Sequence, residues 1–289
     1  MKKIYFFFML LIMVILFFEV SLRYLGFGNP VLYINELGNY YIKPNQDIRR
    51  FKGSMVKINH LGMRTNYLWK NTINYKKIIF FGDSVTFGGS YIDNKDLFSE
   101  KFCLKIKKSI CGNYGVNGFK IDNLNFQINN SIDKTNYDHL IIVVSNSIAN
   151  GKSNFNEFPF YKKFEYKIFK SITEVLNHLL FKYDIIDNYH KIEINTIPKN
   201  KSNFVDTLKE LNNNTQINIF ILPTMENLNN KIYPKHFLED IRIKNINIHN
   251  MYYEIKNVDF KNLYFNNAHL NKKGHDYFSG MIYDKINEF

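Results

Sequence analysis

The first long apolar stretch of the chain lies at its N-terminus. Lys2 and Lys3 precede an uninterrupted apolar run over residues 4–18, and the apolar pattern continues as far as Leu25. A helix that spans a bilayer needs about 20 such residues, so we predict an uncleaved transmembrane anchor over residues 1–25. A cleaved signal peptide would end in small residues of the A-x-A type, and this segment contains no Ala. A buried core helix is disfavoured because nothing polar interrupts the run.

The charges that flank this segment predict its orientation. Lysines before the helix keep the N-terminus in the cytoplasm, which predicts a single-pass protein of the cytoplasmic membrane with its main domain extracytoplasmic. Arg23, Arg49 and Arg50 follow the helix and count against that orientation.

From residue 76 onward, short β-branched and aromatic runs alternate with segments whose apolar residues recur every three or four positions. The runs indicate buried strands and the spacing indicates helices. Strands that alternate with helices form βαβ units, which give a parallel sheet with helices on both faces. The predicted strands are 76–81, 110–116, 139–145, 217–222 and 246–251, and the predicted helices are 96–108, 121–132, 202–211 and 274–289.

Two parts of the chain fall outside this alternation. Residues 26–75 are rich in Tyr, Asn and Gly, and we predict a connecting arm with one strand at 56–59. After a loop at 151–158, an insertion at 159–200 contains a predicted helix at 172–183. The insertion either forms a small helical lid or pads the sheet. The domain itself is predicted to occupy residues 76–289.

Composition narrows the class of protein. The chain is 45% apolar with 27 Phe and 20 Tyr, which is enough to build a core and excludes disorder. Its net charge is +12, but the lysines are scattered, so we expect a solvated basic surface and no nucleic-acid partner. The alternative is a contribution to holding an acidic membrane or polymer.

The chain contains only two cysteines, Cys103 and Cys111. This number excludes a disulfide-rich scaffold and a four-cysteine zinc site. The two residues either bridge in an oxidising compartment or are two small buried side chains.

A candidate nucleophile follows the first predicted strand. Residues 82–88 read Gly-Asp-Ser-Val-Thr-Phe-Gly, a strand-to-helix turn with glycine at both ends. In an open parallel sheet, reactive groups sit at the carboxyl ends of the strands. Ser84 would present its hydroxyl and its amide there, at the positive end of the next helix, which suits a nucleophile whose oxyanion must be held. An isolated tripeptide of this kind would otherwise be a turn with a capping serine.

A serine nucleophile needs a base, and a segment near the C-terminus contains one. Residues 266–275 read Asn-Asn-Ala-His-Leu-Asn-Lys-Lys-Gly-His, a loop that leads into the last predicted helix. His269 is the candidate base because its loop can reach back to the crevice. His275, at the start of the helix, is expected to cap or pack.

These two segments resemble the SGNH or GDSL hydrolase family, in particular its membrane-anchored bacterial members. The resemblance covers residues 55–289 and includes residues 59–64, Asn-His-Leu-Gly-Met-Arg, which are similar to an N-x-x-G-[FM]-R segment of the anchored proteins. It implies a three-layer α/β/α fold with a parallel, flavodoxin-like sheet.

The resemblance also implies roles for single residues. Ser84 matches the family's nucleophile, and Asp83 matches a structural neighbour of it. Gly115, in the second motif, matches a glycine whose amide donates to the oxyanion hole together with the Ser84 amide. His269 matches the base.

The chain departs from the family at two positions. The third motif, usually G-x-N-D, reads Val-Ser-Asn-Ser, so Asn146 is the oxyanion-hole counterpart, with Asn150 as a weaker alternative. The family has an aspartate three residues before the base, and this chain has Asn266. Three interpretations stay open: an enzyme with Ser-His-Asn geometry, an enzyme that recruits another carboxylate such as Asp259, and a domain that has lost catalysis.

The implied activity is ester chemistry without a cofactor or a metal. The sequence lacks a phosphate-binding loop, an H-E-x-x-H helix and a G-x-G-x-x-G turn. The expected substrate is an ester, with the O-acetyl groups of cell-surface polysaccharide favoured, and the enzyme is either an esterase or an O-acyltransferase. The rival is a non-catalytic module that binds glycan or a cell-surface assembly partner.

Overall fold

The computed structural model describes residues 2–36, 39–50, 53–69, 74–132, 135–148, 169–182, 201–212 and 215–286. Within these ranges the helices are α1 (Lys2–Tyr24), α2 (Ser84–Phe87), α3 (Phe98–Lys105), α4 (Ile121–Ile132), α5 (Lys170–Lys182), α6 (Lys201–Asn212), α7 (Met225–Asn229), α8 (Tyr252–Ile255) and α9 (Lys272–Lys285). The strands are β1 (Tyr33–Glu36), β2 (Asn39–Ile42), β3 (Gln46–Arg49), β4 (Met55–Ile58), β5 (Lys76–Gly82), β6 (Ser109–Gly115), β7 (His139–Ser145), β8 (Ile217–Leu222) and β9 (Ile246–Asn250).

The central sheet contains five parallel strands in the order β6-β5-β7-β8-β9. This is the flavodoxin-like order, so the predicted fold is confirmed. Side chains alternate between the two faces of a strand, and each face of β5 enters a different core. Ile79 and Phe81 pack with the arm, α4 and α6, whereas Ile78 and Phe80 pack with α3 and α9. Helices therefore cover both faces of the sheet.

The five predicted strands of the sheet are present with ends within one residue of the prediction. The helix predicted at 96–108 begins at Phe98 instead, because residues 94–96 form a 3-10 turn and Leu97 is extended. The closing helix begins two residues early, at Lys272, where the Asn271 side chain caps it by accepting from the Gly274 amide. The predicted loop at 151–158 and most of the insertion at 159–200 lie outside the described residues.

The arm packs into the domain. Strands β3 and β4 form an antiparallel hairpin, and the Arg64 amide donates to the Asn113 carbonyl at 2.7 Å, which joins the arm to edge strand β6. Val56, Ile58 and Met63 are buried in the same core as Phe81 and Tyr114. The strand predicted at 56–59 is thus half of a two-stranded hairpin, which single bridges through Arg64 connect to β6.

Helix α1 has 23 residues, and its apolar side chains from residue 4 to residue 18 are exposed. By length and composition it could cross a membrane, a criterion that a signal sequence also meets. Its buried residue is Glu19. Further along the chain, Cys103 and Cys111 form a disulfide between α3 and β6, with Cα atoms 5.8 Å apart.

Candidate active site

The nucleophile candidate lies in the turn between β5 and α2. Asp83 is extended and caps α2, with its Oδ1 accepting from the Val85 amide at 2.9 Å, so Ser84 becomes the first helical residue. Gly82 is required because a Cβ there would lie 1.8 Å from the Val143 carbonyl oxygen. Gly88 ends the helix at φ 85°, a left-handed conformation that favours glycine. The glycines at both ends of the motif therefore have local structural reasons.

His269 reaches Ser84 from the other side of the crevice. Its Nε2 lies 2.9 Å from Ser84 Oγ, and its Nδ1 lies 3.0 Å from Asn266 Oδ1. The same Asn266 oxygen accepts from the backbone amides of Ala268 at 3.1 Å and His269 at 2.9 Å. Since only the carbonyl oxygen of a carboxamide can accept these bonds, the Asn266 side chain is oriented. Nδ1 therefore carries the proton, and Nε2 has a free lone pair for the Ser84 hydroxyl.

Burial sets the protonation state of this pair. Desolvation lowers the pKa of His269 below its ordinary value, and the nearby Asp83 carboxylate opposes that shift. The imidazole is therefore neutral near pH 7, the form that a general base needs.

Asp83 connects the nucleophile turn to strand β7. Its Oδ2 accepts from the Ser145 amide at 3.0 Å and from the Ser145 hydroxyl at 2.7 Å. Burial raises the pKa of Asp83, and the hydrogen bonds from Ser145 and Val85 oppose this shift. These contacts agree with a structural role, since they fix the carboxyl ends of two neighbouring strands to each other.

Two candidate oxyanion donors lie at the strand ends. The Ser84 amide is the first N–H of α2, a position without an intrahelical acceptor. Asn146 directly follows β7, and its backbone amide donates to the Leu222 carbonyl at 2.8 Å. Its side-chain Oδ1 is buried without a hydrogen-bond partner among the described residues. The alternative, Asn150, lies outside the described residues.

Gly115 differs from expectation. Its amide donates to Asn113 Oδ1 at 2.8 Å, so this N–H is already engaged. A Cβ at Gly115 would lie 2.2 Å from the Phe87 nitrogen. The glycine thus allows α2 to lie directly on the end of β6. Asn113 reinforces that contact by donating from Nδ2 to the Thr86 carbonyl at 2.6 Å.

Arg64 holds the chain that follows α2. It is completely buried, and its Nη1 donates to the carbonyls of Phe87 at 2.7 Å and Gly89 at 2.8 Å. Its Nε donates to Asn94 Oδ1 at 2.9 Å. Burial lowers the pKa of Arg64 to about 9. Residues 59–64, Asn-His-Leu-Gly-Met-Arg, drew attention to Arg64 in the sequence. They did not predict that its guanidinium would contact the segment after α2.

The loop that carries His269 is held at several points. The Phe265 amide donates to the His269 carbonyl at 2.8 Å, and the Tyr91 hydroxyl donates to the Leu270 carbonyl at 2.9 Å. The rings of Tyr91 and Phe265 are stacked with centroids 4.0 Å apart. On the other side, the Asn267 carbonyl accepts from the Met225 amide at 2.7 Å. His269, the candidate base, therefore lies in a loop that is held in place at several points.

The remaining candidates lie elsewhere. Asp259 accepts from Asn262 Nδ2 at 2.5 Å. The side chain that contacts His269 Nδ1 is Asn266, so Asp259 does not serve as the carboxylate partner of His269. His275 is buried, with Nδ1 accepting from the Phe98 amide at 3.2 Å and its ring stacked on Phe98. Among the described residues, no group of three or more His, Cys, Asp or Glu side chains could hold a metal.

Comparison with known proteins gives structural similarity only. No family model matches the chain, and no curated protein matches it significantly. A lipase/acylhydrolase from Enterococcus faecalis is similar at 13% identity and a TM-score of 0.43, over 73% of this chain and 95% of that one. A member of the lipolytic G-D-S-L family from Veillonella parvula is similar at 13% identity and a TM-score of 0.41, over 74% of this chain and 100% of that one. Similarity at this level transfers no function.

Proposed function

We propose that this chain is a serine hydrolase of the SGNH/GDSL type that acts as an esterase or an O-acyltransferase. The observation that carries the proposal is the continuous hydrogen-bonded series from Asn266 through His269 to Ser84, with steps of 3.0 and 2.9 Å. Each atom in it has the donor or acceptor character that nucleophilic catalysis by a hydroxyl requires.

The proposed reaction has two stages. In the first, Ser84 Oγ attacks the ester carbonyl while His269 Nε2 takes the hydroxyl proton, and the imidazolium then gives this proton to the departing alkoxide. In the second, His269 takes a proton from water or from a sugar hydroxyl as the oxygen of that molecule attacks the acyl-serine carbonyl; the bond to Ser84 Oγ then breaks, and the imidazolium gives the proton to Ser84 Oγ. The Ser84 amide and the Asn146 side chain are the proposed oxyanion donors.

Substrate and location form a finer part of the proposal. Helix α1, whose first two residues are Lys2 and Lys3, supports an anchor with the domain on the outer side of the cytoplasmic membrane. A membrane-held esterase there would meet cell-surface polysaccharide, and O-acetyl groups are its proposed substrate. Water as acceptor makes the enzyme an esterase, and a sugar hydroxyl makes it a transferase.

One observation favours a second candidate, a glycan-binding module without activity. Asn266 supplies a neutral oxygen where an ionised carboxylate would stabilise the imidazolium. An unactivated Ser84 would leave a crevice able to bind an acylated glycan without cleaving it.

Labelling with a fluorophosphonate separates these candidates. We expect the full-length protein in detergent to be labelled, and Ser84→Ala and His269→Ala to lose the label. Ser147→Ala is the matched control, since Ser147 is an exposed serine just beyond β7 whose hydroxyl contacts Ser145 Oγ at 2.9 Å and not His269. A folded wild-type protein that stays unlabelled beside a reactive esterase would contradict the catalytic proposal. Acetate release from an O-acetylated polysaccharide, compared with acetyl transfer to added oligosaccharide, then distinguishes hydrolysis from transfer.

A further inference from the structure

Among the side chains of α5 that the structure describes, two polar residues are buried and two leucines are exposed, which reverses the usual arrangement. Ser171 and Glu174 face the protein and are buried, whereas Leu176 and Leu179 are 52% and 45% exposed. Phe169, just before the helix, is 40% exposed. At 100° per residue, positions 169, 176 and 179 fall on one side of the helix, opposite 171 and 174. An apolar stripe therefore faces away from the domain.

The buried face of α5 is fixed to the arm by charge. Arg50 Nη2 lies 2.6 Å from Glu174 Oε1, and both side chains are buried. The amide of Gly28 donates to Glu174 Oε2 at 2.5 Å, and Arg50 Nη1 donates to the Gly26 carbonyl at 3.1 Å. Buried charges are kept only when paired in this way, so the ion pair fixes which side of α5 points outward.

The same helix begins directly against α1. Glu19 accepts from the amides of Ser171 at 3.2 Å and Ile172 at 3.0 Å, both in the first turn of α5, where N–H groups have no intrahelical acceptor. A carboxylate there also complements the positive end of the helix. Arg23, one turn later on α1, donates to Glu19 at 2.7 Å. Helix α1 is thus joined to the domain by α5 and is not a loose tether.

This junction sets the depth of α5. Glu19 follows the last residue of the apolar run at 4–18, and Tyr24, the end of α1, is five residues later. At a rise of 1.5 Å per residue, Glu19 lies about 8 Å from the end of α1. If α1 spans the bilayer, the start of α5 lies near the boundary between the lipid headgroups and the acyl chains, the depth at which interfacial helices bury their apolar faces.

We infer that α5 is an interfacial helix that rests its stripe of Phe169, Leu176 and Leu179 on the lipid bilayer beside α1. The partner is a lipid surface, and the continuity of the stripe with the anchor selects it. The inference rests on the proposed anchoring by α1. Helix α5 would give the domain a second membrane contact, and two contacts would fix the orientation of the domain on the membrane.

Depth-dependent fluorescence quenching tests this contact in the full-length protein. The two native cysteines form a disulfide, so a single introduced cysteine can be labelled with an environment-sensitive dye. Leu176→Cys and Leu179→Cys are the test variants, Leu11→Cys is the membrane reference, and Ile232→Cys, also an exposed apolar residue, is the matched control. Each is reconstituted in phosphatidylglycerol and phosphatidylcholine vesicles with or without nitroxide-labelled lipids.

We expect quenching at 176 and 179 to be at least twofold above that at 232, and strongest from shallow nitroxides. Quenching at 11 but only control levels at 176 and 179 overturns the inference and leaves the anchor standing. The inference is also overturned if the dyes at 176 and 179 show the emission of an apolar environment but are not quenched by nitroxide lipids. Other parts of the chain would then cover the stripe. An unquenched position 11 overturns the anchor, and with it the contact of α5. None of these readings depends on enzymatic activity.

Discussion

Asn266 Oδ1 lies 3.0 Å from His269 Nδ1 and also accepts the backbone amides of Ala268 and His269. One carboxamide oxygen thus fixes both the loop and the tautomer of His269, the proposed base. An aspartate would provide the same geometry and a full negative charge opposite the imidazolium. The asparagine orients the imidazole as an aspartate would, but it lacks the negative charge. Its presence should therefore raise the activation barrier of the reaction without changing the positions of Ser84 and His269.

Restoring the carboxylate should raise activity. We expect Asn266→Asp to increase turnover of p-nitrophenyl acetate about tenfold or more, because an ionised partner stabilises the imidazolium that forms as Ser84 attacks; in chymotrypsin the reverse change lowers turnover about 10⁴-fold. Asn267→Asp is the matched control, since its side chain accepts from the Glu226 amide and not from His269. Equal turnover in the folded Asn266→Asp variant would mean that another group orients the base.

The pH profile should report the burial of the base. Because desolvation lowers the pKa of His269, kcat/KM should fall on the acid side with a midpoint below about 6.5, the ordinary value for histidine. In Asn266→Asp the added carboxylate favours the imidazolium and should move this midpoint to higher pH. Profiles of kcat/KM between pH 4.5 and 8 for the wild type and for Asn266→Asp check the prediction. Coincident midpoints would show that a different group titrates.

Arg64 should act as a positioning residue for the nucleophile turn. Arg64→Lys keeps the charge, but one ammonium cannot replace a guanidinium that bonds the Phe87 and Gly89 carbonyls and Asn94 together. We expect the free energy of unfolding to fall by about 3 kcal/mol and the fluorophosphonate labelling rate to drop at a temperature where the variant is folded. Arg242→Lys, on an exposed residue, is the control. Unchanged labelling in folded Arg64→Lys would restrict Arg64 to stability.

The sheet and the central pair of the site were predictable for a common reason. Strands β5 and β7 are continuous apolar runs because both of their faces are buried. Ser84 and His269 are 185 positions apart, but each occupies a loop at the carboxyl edge of the sheet, where a parallel fold brings such loops together.

The contacts around the pair were not predictable, because they depend on side-chain conformation. Sequence alone does not show that the Asn113 side chain takes the Gly115 amide, or that Arg64 crosses from the arm to the carbonyl of Phe87. The arm's apolar residues also occur in stretches too short to reveal that they join the core.

Gly115 provides a steric test of how α2 is placed. Gly115→Ala would put a Cβ 2.2 Å from the Phe87 nitrogen and 2.5 Å from the Thr86 carbonyl carbon. Because these are backbone atoms, α2 must move, and we expect a loss of about 1–3 kcal/mol together with slower labelling of Ser84. Gly280→Ala, in α9 with nothing within 4 Å, should instead gain about 0.5–1 kcal/mol. Thermal unfolding and labelling of both variants measure the contrast. Equal labelling of the two would show that α2 tolerates the methyl group.

His275 should make the fold sensitive to acid. Burial lowers its pKa to about 3 in the folded protein, against about 6.5 unfolded. Between these values the unfolded chain binds one more proton, so this contribution to stability is complete above pH 6.5 and is lost as pH falls towards 3, by about 1.4 kcal/mol per pH unit.

His275→Asn isolates that contribution. Its side-chain oxygen can still accept from the Phe98 amide, as His275 Nδ1 does, but it does not titrate. We expect the variant to be less stable at pH 7, because the stacking on Phe98 is lost, and to lose less stability between pH 6.5 and 5. Urea unfolding in detergent at both pH values gives the two slopes. If the free energy of unfolding falls equally in the wild type and the variant, the acid sensitivity arises elsewhere. A larger fall in the wild type would assign it to the His275 imidazole, which lies between α9 and α3.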